Sequence, residues 1–318
     1  MMADIRWSRP QDRDAILSFI QQMGFNPRDS VTWDALQMQA MTAWQGAHLI
    51  GAIPLEPRPL RVAPNQSIPT AHETVVALHP DHRAKGIGSA MQRAIVADPP
   101  QGARIITVFR EDPQSPAYRW YLKNGFTPIM HIDSWFCDPP ASPTETEPEL
   151  YPADDPRLDY PFLHQLWLSA TAHSAGFVDR RQRPLDHWLR VHPYRARYQF
   201  HILLHRRPDR SIAGYALLGV GQMHSPTDRI DILDLISSDN TLQPLINAIQ
   251  QLSIKKSWRP IRWPLADQDP ATTLAQNSGF EKRWPFDMLA RALSPSDSSF
   301  ILHPSSFPHW RYAPIDYI

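Results

Sequence analysis

The chain has 318 residues, with 32 basic and 32 acidic side chains for a formal charge of zero, and 42% of its residues are hydrophobic. That length suits two ordinary domains better than one, and the neutral balance gives no sign of a nucleic-acid or anionic-membrane surface. A lone cysteine, Cys137, excludes an internal disulfide framework and fits a reducing cytoplasm, and no apolar run is long enough to span a bilayer.

The predicted elements begin with a strand at Asp4–Trp7 and a helix over Arg13–Met23, whose Ile16, Leu17 and Ile20 recur at helical spacing. A second helix is expected over Thr32–Met38, and paired strands around Met41–Trp44 and His48–Ile53. The proline-rich stretch from Pro54 to Pro69 reads as an extended hairpin or loop beside a substrate mouth. Thr74–Leu78 is β-branched and apolar, the pattern of a buried strand. A helix is expected from near Gly88, because Ile87, Met91, Ala94 and Ile95 recur at its period.

Between that strand and that helix lies Leu78-His79-Pro80-Asp81-His82-Arg83-Ala84-Lys85-Gly86-Ile87-Gly88-Ser89. A basic, glycine-containing loop feeding a helix N-terminus presents main-chain N–H groups at the positive end of a helix dipole, a site suited to phosphate. Without a Cβ at Gly86 or Gly88, a pyrophosphate could approach the main chain closely, and Arg83 and Lys85 add positive charge. The run is neither a nucleotide P-loop nor a dinucleotide GxGxxG. It resembles the acyl-CoA pyrophosphate loop of the GNAT superfamily of acetyl-CoA-dependent N-acyltransferases, Arg/Gln-x-x-Gly-x-Gly/Ala, filled here by Arg83, Gly86 and Gly88. The resemblance implies acetyl-CoA as co-substrate, no metal, and cofactor contacts from Ala77, Leu78, Arg83, Ala84, Lys85, Gly86, Ile87, Gly88 and Ser89.

Downstream, Arg104–Arg110 reads as another buried strand and Pro116–Asn124 as a short helix closed by Gly125. Ala117-Tyr118-Arg119-Trp120-Tyr121-Leu122-Lys123-Asn124-Gly125-Phe126 resembles the second signature of the superfamily, in which a tyrosine precedes Gly-Phe by one helical turn. That resemblance implies that Tyr121 is the acid that reprotonates the CoA thiolate, chemistry open to a phenol. Gln114 stands where the superfamily usually has Asn, and is the corresponding cofactor contact. The superfamily often places a glutamate on the strand entering the loop. Alternation puts His72, Thr74 and Val76 on one face and Glu73, Val75 and Ala77 on the other; Glu73 has the right chemistry and His72 the usual register, so both stand as candidate bases. His79 and His82 are read as loop residues near the phosphates.

A strand is expected over Ile132–Phe136, with Cys137 structural. From Asp138 the chain turns acidic and proline-rich, the mark of a stiff linker. The second half repeats the first in order: helices at Phe162–His173 and Pro184–Val191, strands at Gln199–Leu204, Ile212–Val220 and Ile230–Ile236, a helix at Leu242–Ile254, a strand at Ile261–Leu265, and a helix at Pro270–Asn277 closed by Ser278-Gly279-Phe280. The copy lacks the working parts. Ser237-Ser238-Asp239-Asn240 replaces the phosphate loop and Ala275 replaces Tyr121. Asp231 and Asp234 are read as a solvated strand face, with contact to a cationic substrate as the alternative. A polar segment after Leu293 leads to an aromatic tail, expected to dock on the body, with the Ile318 carboxylate a further candidate base.

The expected fold is α/β with an α+β mixed sheet: two tandem GNAT-like domains, each a mostly antiparallel mixed sheet flanked by helices. Tandem members such as the mycothiol synthases are similar in this two-domain plan. The expected boundaries are 1–138 for a catalytic domain, 139–157 for the linker, 158–293 for a degenerate copy and 294–318 for the tail. The activity implied is N-acetyltransfer from acetyl-CoA to a small-molecule amine or a peptide N-terminus, in the cytoplasm, with a homodimer left open. The alternative is a non-catalytic acyl-CoA-binding or regulatory module.

Overall fold

The computed structural model describes residues 3–25, 29–63, 66–139, 148–175, 178–181, 184–192, 195, 197–221, 228–238 and 242–294. In chain order the elements are β1 (Asp4–Trp7), α1 (Arg13–Gln22), α2 (Ser30–Ala35), β2 (Gln39–Gln45), β3 (His48–Pro57), β4 (Leu60–Ala63), β5 (Gln66–Ile68), β6 (Thr70–Glu73), β7 (Ala77–Leu78), α3 (Ile87–Ala97), β8 (Ile105–Arg110), α4 (Pro116–Lys123) and β9 (Thr127–Cys137). They continue with β10 (Glu149–Pro152), α5 (Tyr160–Ala170), α6 (Leu185–Val191), β11 (Gln199–Arg206), β12 (Ile212–Gly221), β13 (Arg229–Ser237), α7 (Gln243–Lys256), β14 (Ile261–Ala266), α8 (Ala271–Asn277) and β15 (Glu281–Ala292). The expected tandem of mixed, mostly antiparallel sheets flanked by helices is what forms.

The chain divides into two compact units. Of the described residues, the first comprises those within 3–60, 67–129 and 287–294, and the second those within 61–66 and 130–286. Strand β9 from Met130 onward lies in the second unit, and β15 from Asp287 onward lies in the first. A strand's alternation records that one face is buried, not which sheet it joins, so sequence pattern carries no sign of this exchange.

In the first unit the strands run in the order β1, β2, β3, β6, β8 and the second half of β15, with β7 also on β3. All neighbours are antiparallel except β6 and β8, which are parallel. Helices α3 and α4 close one face over a core that contains Ile53, Leu55, Ala71, Ile106, Val108 and Leu289. Met91 and Ile95 on α3 are fully buried there, each contributing about 1.5–3 kcal/mol. Within the proline-rich stretch, 54–57 continue β3, while β4 and β5 pair as a separate two-stranded sheet whose residues within 61–66 group with the second unit.

In the second unit the order is the first half of β15, then β9, β14, β13, β12, β11 and β10. The one parallel pair, β13 with β14, is the counterpart of β6 with β8. Helix α7 buries Leu245, Ile246, Ile249 and Leu252 on this sheet. Cys137 is buried in the same core, as expected of a structural residue.

Candidate functional site

The site begins with a strand that loses a neighbour. Strand β6 pairs with β8 from Thr70–Ile105 to His72–Thr107, and with β3 through Glu73–Leu55 and His72–Glu56. Beyond Glu73 it leaves β8. Its pairing with β3 resumes at Ala77–Ala52 and Leu78–Gly51, shifted by one residue, so 74–76 form a bulge and not the continuous strand expected over Thr74–Leu78. Pro54 explains the position. Its carbonyl accepts from the Thr74 N–H at 3.1 Å, and because a strand residue's two main-chain groups point the same way, its missing N–H falls on this side too.

On β7 the His79 N–H donates to Ile50 O on β3 at 2.9 Å. Strand alternation then turns the Leu78 N–H and C=O away from β3, and the Leu78 carbonyl accepts from Arg83 Nε at 3.2 Å. Of Ala77 and Leu78, both expected as cofactor contacts, Leu78 therefore turns its main-chain groups away from β3, and Ala77 faces β3.

The loop enters α3 through two left-handed residues, Ala84 at φ +58° and Gly86 at φ +78°. Gly86 caps the helix. A Cβ there would meet nothing within 4 Å, so its requirement is torsional. The first helical bond, Ala90 N–H to Gly86 O, is 3.0 Å long. The amides of Ile87, Gly88 and Ser89 precede it and have no acceptor inside the helix. Residues Arg83, Ala84, Lys85 and Gly86 are exposed beside them. A Cβ on Gly88 would lie 3.2 Å from Leu78 Cδ1 and 3.3 Å from Trp120 Cζ2, so its missing side chain makes room for the packing of these two residues. Ser89 Oγ is engaged by Trp120 Nε1 at 3.1 Å.

Helix α4 starts with the Ser115 hydroxyl accepting from the Tyr118 N–H and with Pro116 at its first position. It ends in a Schellman motif: Phe126 N–H to Tyr121 O at 3.1 Å and Gly125 N–H to Leu122 O at 3.0 Å, with Gly125 at φ +82°. This frame sets Tyr121 inward, 1% exposed, between the rings of Trp120 and Phe126. Its hydroxyl donates to Glu73 Oε2 at 2.9 Å and accepts from Arg110 Nη2 at 2.7 Å, while the Arg110 guanidinium lies 4.6 Å from the ring centre.

Glu73, also 1% exposed, accepts a second bond from Gln92 Nε2. Burial pushes its carboxyl up to about 7, against the pull of the Gln92 and Tyr121 hydrogen bonds and of Arg110 and Arg291. Burial also pushes the Tyr121 phenol well above its ordinary value, aided by the Glu73 charge and opposed by Arg110. Next to this group Tyr118 donates to Asp287 at 2.6 Å. The cluster is a buried acid and a buried phenol sharing a hydrogen bond, with arginine stabilising the ionised form of either.

Of the two candidate bases, Glu73 joins Tyr121 and His72 does not. His72 lies on the opposite face of β6, its Nδ1 3.0 Å from Thr107 Oγ1 and its ring against Phe109. Gln114 is exposed in the turn before α4, its N–H on the Asp112 carboxylate at 2.8 Å. Arg110, Gln92, Arg291 and Asp287 were missed in the sequence. The available signal was a polar residue on the inner stripe of an otherwise apolar element, as with Gln92 one residue from the buried Met91.

The second unit repeats the frame at the end of α8. Phe280 N–H to Ala275 O and Gly279 N–H to Gln276 O reproduce the same motif, which places Ala275 at the position equivalent to Tyr121. The expectation of a solvated face at Asp231 and Asp234 is overturned. Both are at most 3% exposed; Asp234 accepts from Arg180 and Tyr215, and Asp231 from Arg229 and Tyr198. The arginines that compensate them sit far away in sequence or inside an apolar strand, so alternation alone read the carboxylates as solvated. Asp239, Asn240, linker residues 140–147, and the tail from Pro295 to Ile318 lie outside the described residues.

Among the described residues no group of His, Cys, Asp and Glu forms a metal site, and no helix is long and apolar enough to cross a membrane. Residues 39–128 match the acetyltransferase (GNAT) domain family. No curated protein matches the chain by sequence. Among solved structures, the chain is similar to a probable N-acyltransferase from Enterococcus faecalis, with 15% identity over 92% of this chain and 73% of that one and a TM-score of 0.69. It is similar to a GCN5-related N-acetyltransferase from Anabaena variabilis, with 15% identity, the same coverage and a TM-score of 0.63. A tandem GNAT protein from the clavulanic acid biosynthesis pathway matches with 15% identity over 92% of this chain and all of that one, with a TM-score of 0.61.

Proposed function

We propose that this chain, a tandem GNAT fold with a GNAT acetyltransferase domain over residues 39–128, moves an acetyl group from acetyl-CoA to a primary amine, using the first unit as its catalytic half. The observation that carries the reading is the Glu73–Tyr121–Arg110 cluster, set beside a strand that leaves β8 and runs into an exposed basic loop at a helix N-terminus.

Bound acetyl-CoA would supply the activated acetyl group. The amides of Ile87, Gly88 and Ser89, with Arg83 and Lys85, would hold its pyrophosphate, and the Leu78 N–H would donate to the thioester oxygen. The ammonium first loses one proton to His72, to Glu73 or to water; the free amine nitrogen then forms the new C–N bond as the C–S bond breaks, and its second proton passes to solvent. Tyr121 gives its proton to the departing thiolate and is positioned to recover one from Glu73. Ala275 at the matching position in the second unit supports a non-catalytic role for that half.

Release of CoA with a panel of primary amines tests the reading, compared with Tyr121→Phe. The variant should lower kcat at least about ten-fold and leave acetyl-CoA affinity within about three-fold. Equal loss of both would end the acid role. A second reading, acyl-CoA binding without transfer, is favoured by the near-complete burial of Glu73 and Tyr121. Acetyl-CoA binding without CoA release from any amine would establish it.

A further inference from the structure

The second unit contains a cavity of about 630 Å³ that shares no residue with the cluster around Tyr121. It exists because β10 is short. That strand ends at Pro152, the last main-chain bond from this segment to β11 runs from the Ala153 N–H to Phe200 O at 2.9 Å, and the first residues of β11 extend past the end of their neighbour. The start of α5 and one side of α6 face the uncovered edge. A cavity of this volume falls within the range of roughly 300–1,000 Å³ typical of small-molecule sites.

Its walls are apolar and its charge is uneven. Leu189, Phe200 and the Tyr160 ring supply the body of the lining, and the Tyr160 hydroxyl is occupied by the Ala153 carbonyl. Asp186 is paired with Arg190 at 3.1 Å. Asp154 has no hydrogen bond or ion pair among the described residues, which leaves one carboxylate at the rim uncompensated. Both carboxylates act on the same phenol: Tyr160 is pushed up to about 12 by burial first and then by Asp186 and Asp154.

His201 lines the same cavity, its ring 5.4 Å from that of Trp258. Both of its ring nitrogens are shut off from solvent without a hydrogen-bond partner. Buried polar atoms in that condition require an explanation.

We propose that this cavity binds a small amphiphilic amine, its ammonium group paired with Asp154 and its apolar body against Leu189 and Phe200. The charge decides the class: Arg190 is already engaged by Asp186, whereas Asp154 is open to a cation.

The test uses the full chain and 2-phenylethylamine as probe, with phenylacetate as its counterpart of opposite charge. Main-chain amide signals of Leu189 and Phe200 are followed by NMR. The expected result is a saturable shift with a Kd of about 1 mM or tighter for the amine, at least about ten-fold weaker binding to Asp154→Asn, and loss of the shift in Leu189→Trp, which fills the cavity. Asp154 is exposed, so its variant keeps the test valid if the tryptophan variant fails to fold. Absence of saturable binding, equal binding of phenylacetate, or unchanged binding to Asp154→Asn would each overturn the proposal. These readouts are local to the second unit and do not depend on acetyl transfer by the first.

Discussion

Replacing Glu73 with Gln removes one buried charge and leaves the shape of the cluster. In the wild-type fold the carboxyl is raised from 4.5 to about 7. Well below its unfolded value both folded and unfolded chains carry the proton, and the group's full stability is present. As pH rises the unfolded carboxyl ionises first, so that stability is lost progressively until the folded group also ionises near 7. The whole loss amounts to about 3 kcal/mol, of which about 2 kcal/mol falls between about pH 5 and pH 7. The variant has no such ionisation. Gln92 can accommodate it, because its buried Oε1 has no partner and gains a donor if the amide turns. Hydrogen exchange of the Ile106 and Val108 amides reads the first unit alone. His164 and His201, held low by burial, act with the opposite sign in an overlapping window but belong to the second unit. The stability of Glu73→Gln relative to wild type should therefore rise by about 2 kcal/mol between those two pH values. A difference constant to within about 0.5 kcal/mol would refute the buried, proton-holding Glu73.

Other consequences are sharp enough to measure. Gly88→Ala should change first-unit stability by less than about 1 kcal/mol, since helix propensity offsets the contacts with Leu78 and Trp120; Gly88→Val should lose about 1–3 kcal/mol by overpacking, both read from thermal midpoints. Arg110→Met removes the donor to Tyr121 and should push the acid limb of the pH–rate profile upward, because Arg110 pulls Glu73 down; an unmoved limb would exclude that coupling. Asp234→Ala removes the buried carboxylate that Arg180 and Tyr215 donate to and should destabilise the second unit by about 3–5 kcal/mol in denaturant titrations, where a solvated carboxylate would cost under about 0.5 kcal/mol.

The order of elements was legible because periodicity is local. The helix closed by Gly125 and the strand ending at Arg110 fall within a residue or two of their expected places. Tyr121 and Gly86 were picked out by the resemblance of their stretches to the two GNAT signatures and not by periodicity. What the chain hides is non-local. Nothing near Met130 or Asp287 announces that their strands belong to different units from their chain neighbours. The bulge at 74–76 depends on Pro54, twenty residues away on another strand. Asp231 and Asp234 are polar residues in an apolar strand, which a solvated position would also give, and Arg229, Arg180 and the tyrosines packed on them make their burial tolerable. Gly88 shows that a matched motif position can be filled for packing as well as for a ligand.

Titration of the full chain with acetyl-CoA, followed at the amides of Ile87, Gly88 and Ser89, tests the central claim most directly. The account predicts large saturable shifts and slowed hydrogen exchange at these three amides, both weakened in Arg83→Ala and in Lys85→Ala. Saturable binding that leaves them unchanged, or no binding, would contradict it.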